Sequence, residues 1–265
     1  MQINLARREY SQFMTIQNPG LIIILIDQSS SMRSNNKAIE AAKAVNDVID
    51  AIITASSMGT IKDKCFIGVI GYNSDNIAPI VGGPLSHMDE NPLKKVTVNG
   101  LEMPVWVEPK ASGTTPMATA VEQACSMVEQ WIEDHPHCFP PIVINITDGE
   151  PDDFDEKTGN APETRQQVER LMALRTSDGN ALFFNAKISG TELVDKVEYP
   201  VSESELADGY AKFLFNISSV IHSSLILLAR EDGLKVRQGA RAMVFNADEK
   251  TLSKFLQFGS INAQT

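Results

Sequence analysis

At 265 residues with 43% apolar side chains, the chain is long enough for one sizeable domain with a real core, or one domain with an appendage. Its 34 acidic and 23 basic residues give a formal charge of −11, and no basic run exceeds the pairs Arg7-Arg8 and Lys94-Lys95. That excludes a nucleic-acid binder, whose phosphate contacts require clustered Lys and Arg. Cys65, Cys125 and Cys138 are odd in number and widely spaced, so they read as buried free thiols rather than a disulfide framework.

Residues 1–18 are polar and irregular and read as a lead-in arm; the first ten lack the apolar stretch of a signal peptide. Leu21-Ile22-Ile23-Ile24-Leu25-Ile26 is a run of branched apolar residues, the pattern of a strand buried on both faces of a parallel sheet. It ends in Asp27-Gln28-Ser29-Ser30-Ser31. Asn35-Asn36 can cap a helix reaching about Ser56, with Ala38, Ala42, Val45, Ile49 and Ile52 along one stripe. Residues 65–72 predict the next strand.

Residues 73–112 are cut by Pro79, Pro84, Pro92, Pro104 and Pro109, and only 95–98 and 105–107 look like strands. This stretch is long enough to carry a partner surface. Ala111-Ser112-Gly113-Thr114-Thr115-Pro116 is a hydroxyl-rich loop before a helix, with Pro116 at its first position and Thr115 as cap. Met117, Val121, Ala124, Val128 and Ile132 form that helix's buried stripe.

The second branched run, Ile142-Val143-Ile144-Asn145-Ile146-Thr147, leads into Asp148-Gly149-Glu150. The acidic loop 148–156 lacks the alternation of an EF-hand and reads as a solvated rim. His135-Pro136-His137-Cys138 has no second cluster to close a zinc tetrahedron and reads as a helix-to-strand connection. A helix is predicted at about 163–175, a strand at 181–188, and one long helix at about 207–230. The apolar stretch 217–229 contains His222 and several serines and is too short to span a bilayer. Beyond it, 241–245 looks like a strand and 248–258 like a short helix. Val244, Phe245, Leu252, Phe255, Leu256 and Phe258 are too many large apolar residues for a disordered end, so 231–265 reads as a docked tail. The layout is an arm at 1–18, a domain at 19–230 and the tail.

Strands alternating with helices predict an α/β sheet covered by helices on both faces. Ligands of such sheets bind outside the carboxyl ends of the strands, where Asp27 and Asp148 fall. Oxygen donors without His or Cys suit a hard divalent cation.

Asp27-x-Ser29-x-Ser31, then Thr114 after a glycine, then Asp148-Gly149, resembles in order and spacing the metal-ion-dependent adhesion site of von Willebrand factor type A domains. The resemblance covers about residues 18–230, and bacterial intracellular members of the tellurite-resistance type are nearest in character. The chain departs from it in Ser30, where many members carry glycine, and in Gln28; neither position is a ligand in the family. The resemblance implies a doubly wound, mostly parallel sheet with one antiparallel edge strand. It implies that Ser29 and Ser31 bind an ion directly, Thr114 directly or through water, and Asp27 and Asp148 often through ordered waters. The implied ion is Mg²⁺, with Mn²⁺ or Ca²⁺ as alternatives, left electrophilic enough to take an acidic side chain of a partner protein.

The implied function is a cytoplasmic binding module rather than an enzyme. Such relatives are associated with protein kinases, protein phosphatases, AAA+ ATPases and stress or defence systems. Met32, beside the ligands, is an adaptable apolar contact for a partner. The rival is a magnesium-dependent phosphatase of the haloacid-dehalogenase type, which needs an acid two residues after its nucleophilic aspartate. Ser29 stands there and cannot protonate a leaving group well.

Overall fold

A computed structural model describes residues 9–57, 59–188, 195–231 and 233–260. The two branched runs form the centre of a seven-stranded sheet. β1 (Gly20–Asp27) and β6 (Ile142–Thr147) are buried along their whole length, as expected for strands with helices on both sides. Between them in the chain come α1 (Lys37–Ala55), β2 (Cys65–Tyr72), β3 (Ile77–Pro84), α2 (Leu85–Glu90), the hairpin β4 (Lys94–Val98) and β5 (Leu101–Val105), and α3 (Met117–Asp134). After β6 follow α4 (Pro162–Ala173), the two-residue pair β7 (Arg175–Thr176) and β8 (Gly179–Asn180), β9 (Leu182–Lys187), β10 (Val197–Glu198), α5 (Gly209–Ile217), α6 (Ser223–Glu231), β11 (Met243–Phe245) and α7 (Glu249–Gly259).

The sheet order is β10-β11-β9-β6-β1-β2-β3. Its inner pairings are parallel, while β3 runs antiparallel to β2 and β10 antiparallel to β11. The mostly parallel α/β sheet is therefore as expected, except that both edges, not one, are antiparallel. β3 escapes a sequence reading because Pro79 and Pro84 lie within it; an edge strand accommodates prolines that an inner one does not.

One face is packed by α1, α2, α6 and α7, the other by α3, α4 and α5. The single long helix expected at 207–230 is two helices on opposite faces. The sheet needs the backbone between them: the Ser219 N–H donates to Phe183 O at 2.9 Å, and the Ser219 carbonyl accepts from the Ala242 N–H at 2.8 Å. A continuous helix would leave those ladder groups unpaired.

Residues expected to dock as a tail lie inside the sheet. β11 sits between β9 and β10, and α7 covers the α1 face with Phe255 and Phe258 against Phe184, ring centroids 5.7 and 5.8 Å apart. At the other end, residues 9–14 are pinned: the Tyr10 N–H donates to Asp178 O at 2.7 Å, and the Asp178 carboxylate accepts from the backbone N–H groups of Ser11 and Gln12. All three cysteines are buried and unpaired, as expected. Among the described residues no helix is long and apolar enough to cross a membrane.

Candidate metal centre

Strand register sets the floor of the site. Ile26 pairs with Ile146, so the next residues, Asp27 and Thr147, emerge side by side, and the Thr147 hydroxyl donates to Asp27 Oδ2 at 2.6 Å. Asp27 Oδ1 accepts the Ser29 N–H at 2.8 Å, a local turn that short acidic side chains favour. The chain then winds tightly through residues 30–36, and Asn35 and Asn36 take positive φ of 54° and 59°, which Asn tolerates better than most residues.

The hydroxyl-rich loop is laced to this turn. The Ser112 N–H donates to Gln28 O at 2.7 Å, and the Ser30 N–H to Gly113 O at 3.0 Å. Gly113 has φ +72°, and a Cβ on it would lie 2.3 Å from Ser74 Oγ; only glycine fits this turn. Asp152 then fixes the two threonines in different roles. Its Oδ2 accepts the Thr114 hydroxyl at 2.7 Å and its Oδ1 accepts the Thr115 N–H at 2.8 Å.

Four of the five expected site residues come together. Ser29 Oγ and Ser31 Oγ are 2.9 Å apart, and the Ser31 hydroxyl donates to Asp148 Oδ1 at 2.7 Å, with Asp27 beneath. Thr114 faces Asp152 instead. The threonine turned into the cluster is Thr115. A Cβ built on Gly149 would lie 3.1 Å from Ser31 Oγ, 3.3 Å from Thr115 Oγ1 and 3.8 Å from Asp27 Oδ2. These three oxygens thus ring one small space that Gly149 leaves open. Thr115 is 6% exposed and is not the side-chain cap of α3; its hydroxyl belongs to this cluster.

Lys37, the first residue of α1, places its ammonium 2.6 Å from Asp148 Oδ2. Among the described residues Asp27 has no such partner. It is fully buried, and burial pushes its carboxyl up to about 6; hydrogen bonds from Thr147 and Ser29 oppose the rise and the Asp148 charge adds to it. A buried carboxylate beside three hydroxyl oxygens, with a cradle beneath Gly149, suits a hard cation. Among the described residues no group of three His, Cys, Asp or Glu side chains is set to hold a metal, so hydroxyls would supply much of any shell.

Other expectations resolve locally. Met32 is fully buried in the α1-face core, so it offers no partner contact; the tight turn points it inward. The acidic loop is not simply a solvated rim. Asp152 holds the threonine loop, and Asp153 caps α4, accepting the N–H groups of Glu163 and Thr164 at 2.8 and 3.0 Å. His135 stacks on Trp131 at 3.9 Å and His137 meets Ser177, so this stretch is a connection, not a zinc fragment. Asp152 and Lys37 carried no sequence signal: both are ordinary charged residues whose partners lie 37 and 111 positions away.

Comparison with solved structures gives the pilus adhesin SpaC from Lactobacillus rhamnosus GG at TM-score 0.56 and 12% identity, over 96% of this chain and 31% of that one. The open conformation of SpaC aligns equally well, over 93% and 30%. Proximal thread matrix protein 1 from the mussel byssus, with a zinc-occupied MIDAS motif, aligns at 0.49 and 14% identity, over 94% and 47%, too distant to bear on this site. The SpaC likeness speaks for the fold alone, and this chain spans about a third of the adhesin's length. A comparison with curated proteins gives no match. The haloacid-dehalogenase alternative finds no support in these matches. The profile of the von Willebrand factor type A domain matches residues 22–191, well over half of the sequence, and the chain belongs to that family.

Proposed function

We propose that this protein is a metal-dependent protein-binding module. Von Willebrand factor type A domains are a family of adhesion and protein-interaction modules, and the finer reading rests on one observation. Ser29, Ser31 and Thr115 present hydroxyl oxygens at the carboxyl ends of β1 and β6 beside Asp27 and Asp148, with Ser31, Thr115 and Asp27 around the space beneath Gly149. These five residues would hold Mg²⁺, or Mn²⁺ or Ca²⁺ in its place, with Thr115 in the role first expected of Thr114. When bound, the ion supplies an electrophilic centre for an acidic side chain of a partner protein.

The protein's own groups prepare that encounter. Asp152 orients Thr115 through its backbone N–H. The Ser31 proton is directed at Asp148, so in the Ser29–Ser31 contact Ser29 is the donor, and Ser31 Oγ keeps one lone pair for a cation. Three buried free thiols suit a reducing, cytoplasmic setting, and a scaffold or regulatory subunit of a bacterial stress, signalling or defence system, paired with a kinase, phosphatase or AAA+ ATPase, is the role we assign.

The test is capture of binding proteins from lysate with Mg²⁺ or EDTA, using wild type, Ser29→Ala and Asp148→Ala. Partners retained only by wild type in Mg²⁺ support the reading. Equal retention by all three in EDTA would contradict it.

A further inference from the structure

Asp148 is nearly enclosed, its side chain 1% exposed, and both its oxygens are in use. Oδ1 takes the Ser31 hydroxyl; Oδ2 takes the Lys37 ammonium, itself only 12% exposed. The ammonium and the Ser31 hydroxyl therefore sit on opposite oxygens of one carboxylate. Lys37 does not reach this position by chance of a flexible surface chain. It is the first residue of α1, and the turn through Asn35 and Asn36 aims that helix start at the end of β6. Among the described residues it is the cation in ion-pair contact with the cluster.

We propose that Lys37 is a built-in counter-cation that competes with the divalent ion at this site and so sets its affinity. The inference rests on the metal-binding reading above. A unit positive charge on Asp148 cancels one of the two carboxylate charges that attract a cation, and it repels an ion held by Ser31 on the other side of the same carboxylate. The low exposure of both partners keeps this opposition from being screened by salt. Metal retention then favours a partner that brings its own carboxylate, because that group restores the negative charge that Lys37 has taken. Lys37 is thus a specificity-determining residue: it ties stable loading to an acidic partner.

The test is calorimetric titration of Mn²⁺ and Mg²⁺ into wild type, Lys37→Met, Lys37→Arg and Asp148→Ala, with melting curves in EDTA and in metal. Methionine keeps most of the apolar stem while removing the charge. Lys37→Met is expected to bind metal about tenfold more tightly or better, Lys37→Arg to stay near wild type, and Asp148→Ala to bind more weakly than either. Lys37→Met should also melt lower in EDTA, with Asp148 left unpaired, and gain more than wild type when metal is added. If Lys37→Met fails to fold, Lys37→Gln carries the same reading. Equal or weaker metal affinity in the uncharged variant, with Asp148→Ala still impaired, overturns the role of Lys37 and leaves the metal site standing. No metal binding by wild type or by the Lys37 variants overturns the metal-binding reading itself.

Discussion

Replacing Asp27 by asparagine should stabilise the protein in EDTA near neutral pH and abolish the gain from divalent metal. The carboxyl's folded-state value, about 6, lies above its reference value of 3.8. The folded chain therefore holds this proton more tightly than the unfolded chain does. The corresponding stability is fully present below about pH 4 and is lost as pH rises through about 6. A shift of about two units corresponds to about 3 kcal/mol across that window. Asparagine removes the charge and fits the same bonds. Its oxygen accepts the Ser29 N–H, and its amide donates to Thr147 Oγ1, whose own proton turns to Gly149 O, 3.1 Å away. Urea denaturation of both proteins in EDTA at pH 4, 5, 6 and 7.5 measures the difference. It should be near zero at pH 4 and grow to about 3 kcal/mol at pH 7.5. With Mg²⁺ at pH 7.5 the wild type should gain stability while Asp27→Asn gains little. An Asp27→Asn variant less stable than wild type in EDTA at pH 7.5, or a difference that does not change with pH, would show that burial does not raise the Asp27 carboxyl.

Thr115→Ala should weaken Mn²⁺ binding in calorimetry, whereas Thr114→Ala should leave it close to wild type, since the Thr114 hydroxyl serves Asp152; the converse result would restore Thr114 as the ligand. Gly149→Ala puts a methyl into the space ringed by Ser31, Thr115 and Asp27 and should depress metal affinity more than tenfold, on the order of 1.4 kcal/mol or above, with a nearly unchanged melting temperature. Deleting residues 232–265 removes an inner strand and the helix over it, so circular dichroism should show no cooperative melt; the single change Phe255→Ala, at a fully buried ring, should cost about 3–5 kcal/mol by urea denaturation.

What could be read from the sequence follows from how local each signal is. The central strands and their terminal aspartates were legible because branched apolar runs buried on both faces announce themselves residue by residue. Ser29 and Ser31 were legible because a two-residue step within one loop keeps both near Asp27. The choice between Thr114 and Thr115 was not. Two adjacent hydroxyls look alike in sequence, and Asp152, together with the turn at Gly113, decides which one faces inward. The break at Ser219 was hidden because apolar residues on both sides of it continue a helical stripe, while the reason for the break lies in Phe183 and Ala242. β11 reads as an appendage because three residues are too few to proclaim an inner strand; its place comes from pairing with β9.

A divalent ion is expected among Ser29, Ser31, Thr115, Asp27 and Asp148. A crystal of the protein soaked with Mn²⁺ and measured at the manganese absorption edge tests it directly. An anomalous peak is expected in bonding contact with the Ser29, Ser31 and Thr115 hydroxyl oxygens, beside the space beneath Gly149. A peak elsewhere on the molecule, or none at that position under saturating Mn²⁺, would contradict it.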